Sequence, residues 1–326
     1  MGSLQNMNLD TILGASPWVE VLVKTLYWRS SLVNNILAQR ARRRPSPVAV
    51  PTSSPALFSF DQITAQLKEL GVREDGIMIV HASGLALKPT GLAPAQICVQ
   101  LLDFLGPEGT LAMPAIPLYR EEPTGPERLT DTICSKRLSY DVRKTPPWTG
   151  ALPKALMGVA GAVRSRHPLN SMVAVGRHAV SMMEANIDGD RPMACGPGSS
   201  WKYCADHNAT IVCLGVDTSH SLTMIHVAED SWADQWPIAN WYRDRMFHVK
   251  DGEFETNLTV RERRPHWAIN YGERTLQKDL IAHGILKVAY VGGLRIEVCE
   301  SAMLVEFLNS RKSSGYPYWL PFWDRA

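Results

Sequence analysis

The densest run of chemistry-bearing side chains lies in residues 215–230, which hold Asp217, Thr218, Ser219, His220, Ser221, Thr223, His226, Glu229 and Asp230. This stretch leaves the apolar run 211–216, makes a polar turn and enters a helical pattern from about Leu222. Loops at the carboxyl ends of strands are where α/β sheets hold ligands. His226 and Glu229 are three residues apart, so they share a helix face. A carboxylate beside an imidazole fixes its tautomer and raises its basicity. A general base needs both if it is to take a proton from an ammonium group near neutral pH. Alone the pair is weak evidence, because most such pairs on helices are solvated ion pairs. His220, in the turn, is a rival base, although a lone loop histidine more often faces solvent.

Three further segments could touch a ligand. His81 follows the apolar run 77–80 and precedes Ala82, Ser83, Gly84 and Leu85. Small residues in such a turn let backbone N–H groups approach a ligand closely. A plain tight turn is an equal reading. Residues 145–150 (Thr145, Pro146, Pro147, Trp148, Thr149, Gly150) form a rigid aromatic loop opening a helix. Arg164, Arg166, His167 and Ser171 form a basic, hydroxyl-bearing stretch whose arginines suit the phosphates of a nucleotide cofactor. A solvated basic loop is the ordinary alternative. Neither a Walker loop nor a Rossmann glycine fingerprint is present.

The elements that must position these residues alternate in type. Ser59 with Gln62 fits a capping box, followed by Ile63, Leu67 and Leu70 on one helical face and a stop at Gly71. Pro94 suits the first turn of a helix that turns Ile97, Leu101 and Leu105 inward and ends at Gly106. Strands are predicted at 77–80, 110–113, 172–175 and 211–216, with a helix at 151–157. Shorter strands at 246–249, 287–291 and 294–298 make the sheet mixed. The class is α/β, with a mixed central sheet between helices.

Residues 1–57 read as a helical arm and linker, and 58–326 as the catalytic domain. In the arm, Trp18, Val19, Leu22, Leu26, Val33, Ile36 and Leu37 recur at helical spacing. The basic cluster Arg40, Arg42, Arg43 and Arg44 and a proline-rich run from Pro45 to Pro55 follow. The arm is a candidate for weak attachment to an anionic membrane surface. Packing on the domain, or on a second subunit as a homodimer, is favoured, because such helices usually cover core.

With 326 residues and 45% hydrophobic content, the chain can bury one large core or two modest ones. A net charge of +2 gives no reason to expect a nucleic-acid partner. No apolar run approaches the roughly 20 residues of a membrane span. Six scattered cysteines without a C-x-x-C pair indicate neither a metal site nor a disulfide framework. With no secretory pattern at the N-terminus, they read as reduced thiols of a cytoplasmic protein.

Six segments, in order, resemble the aminoglycoside 3-N-acetyltransferase family: Val80-His81-Ala82-Ser83, residues 105–114, Thr145-Pro146 with Gly150, residues 164–171, Gly196-Pro197-Gly198-Ser199, and Leu214-Gly215-Val216 followed by Thr223, His226 and Glu229. The resemblance runs from about 58 to about 309 and is weaker after 235. It implies a fold unlike the Gcn5-type acetyltransferases, acetyl-CoA as co-substrate, no metal, and direct transfer to a small-molecule amine acceptor. It implies that His226 is the base, Glu229 its orienting partner, and Thr223 part of the acetyl site. It places the backbone around His81, Ala82, Ser83, Gly84 and Leu85 at the pantetheine and thioester, and Arg164, His167 and Ser171 near the cofactor. Lys154 and Leu222 stand where family members often carry Glu and Asn. The acceptor implied is therefore an amino sugar as readily as an aminoglycoside. A hydroxyl or non-sugar amine acceptor, or a degenerate CoA-binding protein, are the alternatives.

Overall fold

A computed structural model describes residues 13–30, 58–236, 238–311 and 318. The predicted arm positions Val33, Ile36 and Leu37, the arginine cluster and the linker lie outside the described residues.

The first helix, α1, spans Pro17–Arg29, capped by the Ser16 side chain. The domain opens with α2 (Phe60–Glu69), where the capping box forms as predicted: Ser59 Oγ accepts from Gln62 N at 3.3 Å and Gln62 Oε1 from Ser59 N at 3.0 Å. Next come β1 (Ile77–Ala82), α3 (Pro94–Leu105), β2 (Thr110–Pro114), β3 (Arg137–Asp141), α4 (Ala151–Leu156), β4 (Val163–Arg164) and β5 (Met172–Gly176). They are followed by α5 (Ser200–Asp206), β6 (Thr210–Leu214), α6 (Ile225–Asp230), β7 (Tyr242–Asp251) and β8 (Phe254–Arg263). The described chain closes with α7 (Glu273–Ala282), β9 (Lys287–Val291), β10 (Leu294–Glu300) and α8 (Ser301–Ser310).

Seven strands form one sheet in the order β4-β5-β2-β1-β6-β10-β9. The central strands β2, β1 and β6 run parallel; the flanking pairs are antiparallel. The sheet is therefore mixed, as predicted. Alternation along β1 sends Ile77 and Ile79 to one core and Met78 and Val80 to the other. Helices α2, α3 and α4 cover the second face and α5 to α8 the first. Both faces of the parallel centre are thus buried, which explains its unbroken apolar strands.

Two features depart from expectation. The predicted strand at 246–249 does not join the central sheet. It is part of β7, which pairs with β3 and β8 in a separate three-stranded sheet. Strand β8 is half-buried along most of its length, so its polar sequence gave no strand signal. Helix α6 starts at Ile225 rather than near Leu222. In the preceding turn, Ser219 Oγ donates to Asp217 Oδ1 at 2.6 Å and the His220 N–H to Asp217 O at 3.2 Å. Such local bonds compete with helix formation.

The arm packs on its own domain. Glu20, fully buried, accepts from Arg274 Nη1 at 2.9 Å and from the Arg274 N–H at 3.2 Å. Lys24 Nζ donates to Tyr271 O at 2.7 Å and to Glu273 Oε2 at 3.0 Å. Trp18, Leu22 and Leu26 stay exposed. Among the described residues, no helix is long and apolar enough to cross a membrane.

Candidate active site

The parallel strands β2, β1 and β6 end on the same side of the sheet. Gly215 follows β6 with φ +67, and a Cβ there would collide with Ala86 of the turn after β1. Only glycine meets both demands, and the two strand-end turns can therefore lie against each other.

A cavity of about 230 Å³ opens at these strand ends, lined by Val80, His81, Ala82, Pro114, Trp148 and Thr223 among others. A second, of about 260 Å³, lies over the 218–226 turn and shares Ile116, Trp148, His220, Ser221 and Thr223 with the first. A third of about 260 Å³ meets the second at Asn170, His226 and Ala268. The outermost, about 670 Å³, meets the third at Trp28, Arg128, Leu169, Asn170, Glu262 and Pro265. Together they make one continuous cleft. Thr223 sits where the two inner cavities join, and His226 one junction further out.

His226 Nδ1 lies 3.1 Å from Glu229 Oε2. The Glu229 side chain is 1% exposed and that of His226 is 29% exposed. The pair is therefore not a solvated surface ion pair: the carboxylate is buried and the imidazole reaches the cleft. Arg263 braces it from behind, with Nε 3.3 Å from Glu229 Oε2 and Nη1 2.6 Å from Asp230 Oδ2. Burial works against the Arg263 charge, but Asp230 and Glu229 outweigh it and hold the guanidinium above its ordinary pKa. Asp230 also accepts from the Cys195 N–H at 3.1 Å and from Tyr242 Oη at 3.1 Å. Among the described residues, His226 Nε2 and the Thr223 hydroxyl have no hydrogen-bond partner.

His220 faces the same cleft under different constraints. Its Nδ1 lies 2.6 Å from Asp217 Oδ1, and its Nε2 is 3.5 Å from Arg274 Nη2. The bond to Asp217 raises the His220 pKa. Burial opposes Asp217 ionisation, yet hydrogen bonds from His220 and Ser219 hold it at about 2. A guanidinium thus stands at the outer nitrogen of this ring, while that of His226 opens into the cleft.

Of the residues predicted at the cofactor, His81 and Ala82 line the strand-end cavity. Burial lowers the His81 pKa to about 4, so the ring is neutral, and its Nε2 is buried without a partner among the described residues. Ser83 N–H donates to Leu214 O at 2.9 Å and Ser83 Oγ accepts from Ala86 N–H at 3.3 Å, so Ser83 shapes the turn. Gly84 and Leu85 are exposed beside that cavity rather than in its lining.

The side chains of Arg164, His167 and Ser171, expected near the cofactor, are engaged within the fold. Arg164, 7% exposed, donates to the carbonyls of Val142 (3.0 Å), Thr145 (2.6 Å) and Ala115 (2.7 Å). His167 Nε2 lies 3.1 Å from Pro192 O, and its Nδ1 faces the Leu169 backbone. Ser171 Oγ pairs with Tyr140 Oη at 2.9 Å. All three are buried struts: both Arg164 Nη atoms, both His167 ring nitrogens and the Ser171 hydroxyl meet protein partners, while Arg164 Nε is buried without a hydrogen-bond partner among the described residues. They hold out Leu169 and Asn170, which line the cleft.

Trp28, Arg128, Glu262 and Trp241 in the cleft walls were not legible in the sequence. They come from the arm, a loop and the small sheet, and no local pattern links them.

A mixed-sheet α/β domain with an imidazole–carboxylate pair between two arms of one cleft has the form of a group-transfer enzyme. The family model for aminoglycoside 3-N-acetyltransferase matches residues 79–311. The chain is 32% identical over 176 residues to aminoglycoside N(3)-acetyltransferase III of Serratia marcescens, covering 52% of this chain and 64% of that protein. It is 27% identical over 251 residues to aminoglycoside N(3)-acetyltransferase IX of Micromonospora chalcea, covering 71% of this chain and 85% of the relative. The solved aminoglycoside acetyltransferase AAC(3)-Xa superposes with a TM-score of 0.63 at 25% identity, covering 79% of this chain and 93% of its own. A structure described as AAC-IIIb binary with CoASH shares the fold, with a TM-score of 0.64 at 21% identity over 81% of this chain and 98% of its own. The chain belongs to the aminoglycoside 3-N-acetyltransferase family, and with it to the acyltransferases. Helix α1 precedes the matched region.

Proposed function

We propose that this protein is an acetyl-CoA-dependent N-acetyltransferase that acetylates an amine borne on a sugar, an aminoglycoside or a simpler amino sugar, with His226 as general base. The observation that carries this is the unpartnered Nε2 of His226 in the cleft, aimed by a Glu229 that is 1% exposed.

The strand-end cavity suits the co-substrate. Val80, Ala82, Pro114, Leu152 and Val216 give it apolar walls for a pantetheine arm, and His81 Nε2 is an orphaned buried polar atom at its edge. Acetyl-CoA supplies an electrophilic thioester carbonyl. His226 Nε2 takes a proton from the acceptor ammonium and passes it to solvent. The freed lone pair forms the N–C bond as the C–S bond breaks. The second proton leaves the nitrogen through His226 for the departing thiolate. The Thr223 hydroxyl, which lines both inner cavities, would donate to the carbonyl oxygen as it gains charge. No acyl-enzyme is needed. His220 is not assigned this role, because Arg274 stands at its Nε2.

His226→Ala should lower kcat by about two to four orders of magnitude while calorimetry shows acetyl-CoA binding unchanged. Glu229→Gln should give a smaller loss. Undiminished turnover in His226→Ala ends the assignment.

A further inference from the structure

The geometry points to an anion-binding subsite at Arg128 and Trp28, so that among amine acceptors the cleft selects one that carries a phosphate or carboxylate beside a single amine. This rests on the acetyltransferase reading of the same cleft.

The carboxylates lining the outer three cavities are not free. A polycationic acceptor needs acidic side chains free to receive its ammonium groups. Here each lining carboxylate is already paired. Glu229 is 3.3 Å from Arg263, and Glu273 is 3.0 Å from Lys24. Glu262 is 2.7 Å from Arg243 and 3.1 Å from Arg245, and Glu122 is 2.7 Å from Arg245. Arg243 and Arg245 are buried, at 6% and 0% exposure, so these pairs cannot readily open toward a ligand.

The cations differ. Arg261 is held by Asp234 at 3.0 Å and Arg264 by Asp131 at 2.6 Å. Arg128 makes no ion pair or hydrogen bond among the described residues. Its guanidinium lies 5.4 Å from the centroid of the Trp28 ring. A cation–π contact uses no N–H donor, so the forked donors of this guanidinium stay available to a planar or tetrahedral oxyanion. Both residues stand where the cavity holding His226 meets the roomier outer one. An acceptor with its amine at His226 would extend past them, its anionic group on Arg128. Trp28 belongs to α1, so the arm would supply acceptor selection outside the family's matched region.

The test uses the full chain with glucosamine, glucosamine 6-phosphate and sisomicin as probes, measuring Kd by calorimetry and kcat/KM by thiol release. Glucosamine 6-phosphate should bind about tenfold more tightly than glucosamine, the worth of one charge-assisted contact. Arg128→Ala should abolish that difference without weakening glucosamine, and Arg128→Lys should keep part of it. Trp28→Ala should shrink it. Equal binding of the two sugars, tightest binding of sisomicin, or an equal loss for both sugars in Arg128→Ala overturns the subsite. Binding as expected without acetyl transfer to any probe leaves the subsite standing and instead counts against the catalytic role of His226.

Discussion

The two ends of the cleft are built on opposite principles. The strand-end cavity is shaped by backbone: three parallel strands, a glycine in a left-handed turn, and apolar walls. The outer end is shaped by charge. Arg243 and Arg245 on β7 bridge Glu262 on β8 and Glu122 in a loop, and the arm helix closes over them. A thioester arm is a constant ligand and can be met by fixed backbone geometry. An acceptor is discriminated by which charges are left free, which side chains from distant segments decide.

That contrast can be broken where it should be strongest. Arg245→Ala would strip one guanidinium from two carboxylates while its own site is 0% exposed. Loss of one partner from such a buried pair costs about 3 kcal/mol or more. We expect a clear fall in Tm in thermal denaturation; no change would mean that the outer end is not held together by charge. Gly215→Ala tests the other end. The left-handed φ and the collision with Ala86 should cost about 1–3 kcal/mol, and weaken acetyl-CoA binding in the folded fraction. If that variant binds acetyl-CoA normally, the strand-end turns do not shape the cavity.

The smallest effect concerns the second histidine–carboxylate pair. Its folded His220 pKa is raised and its folded Asp217 pKa lies at about 2. The His220 contribution to stability is present below the unfolded value of about 6.5 and is lost as pH rises through the raised folded value. The Asp217 contribution is present above about 3.9 and is lost as pH falls through its folded value of about 2. Asp217→Asn should therefore move the His220 NMR titration downward, with little change in turnover. A fall in turnover like that of His226→Ala would make His220 the better base.

The legible part of the molecule was its local chemistry. The capping box at Ser59, the apolar strands at 77–80 and 211–216, the second ending two residues early at Leu214, and the three-residue spacing of His226 and Glu229 each depend on near neighbours in the chain, so periodicity and residue type suffice to read them. The resemblance to the acetyltransferase family rested on the same kind of contiguous segment. Burial and partnership were not local. The sequence could not say that Arg164 would spend its guanidinium on three carbonyls, because those carbonyls come from segments 19 to 49 residues away. Spacing alone did not separate His226 from His220; the family resemblance singled out His226. Both carry a carboxylate three residues off, and only the folded chain sets Arg274 against one ring and an open cleft against the other. Residue types determined what this protein had available for chemistry; tertiary contacts decided which groups remained free to use it, because a hydrogen bond or ion pair already made inside the fold removes that group from any ligand.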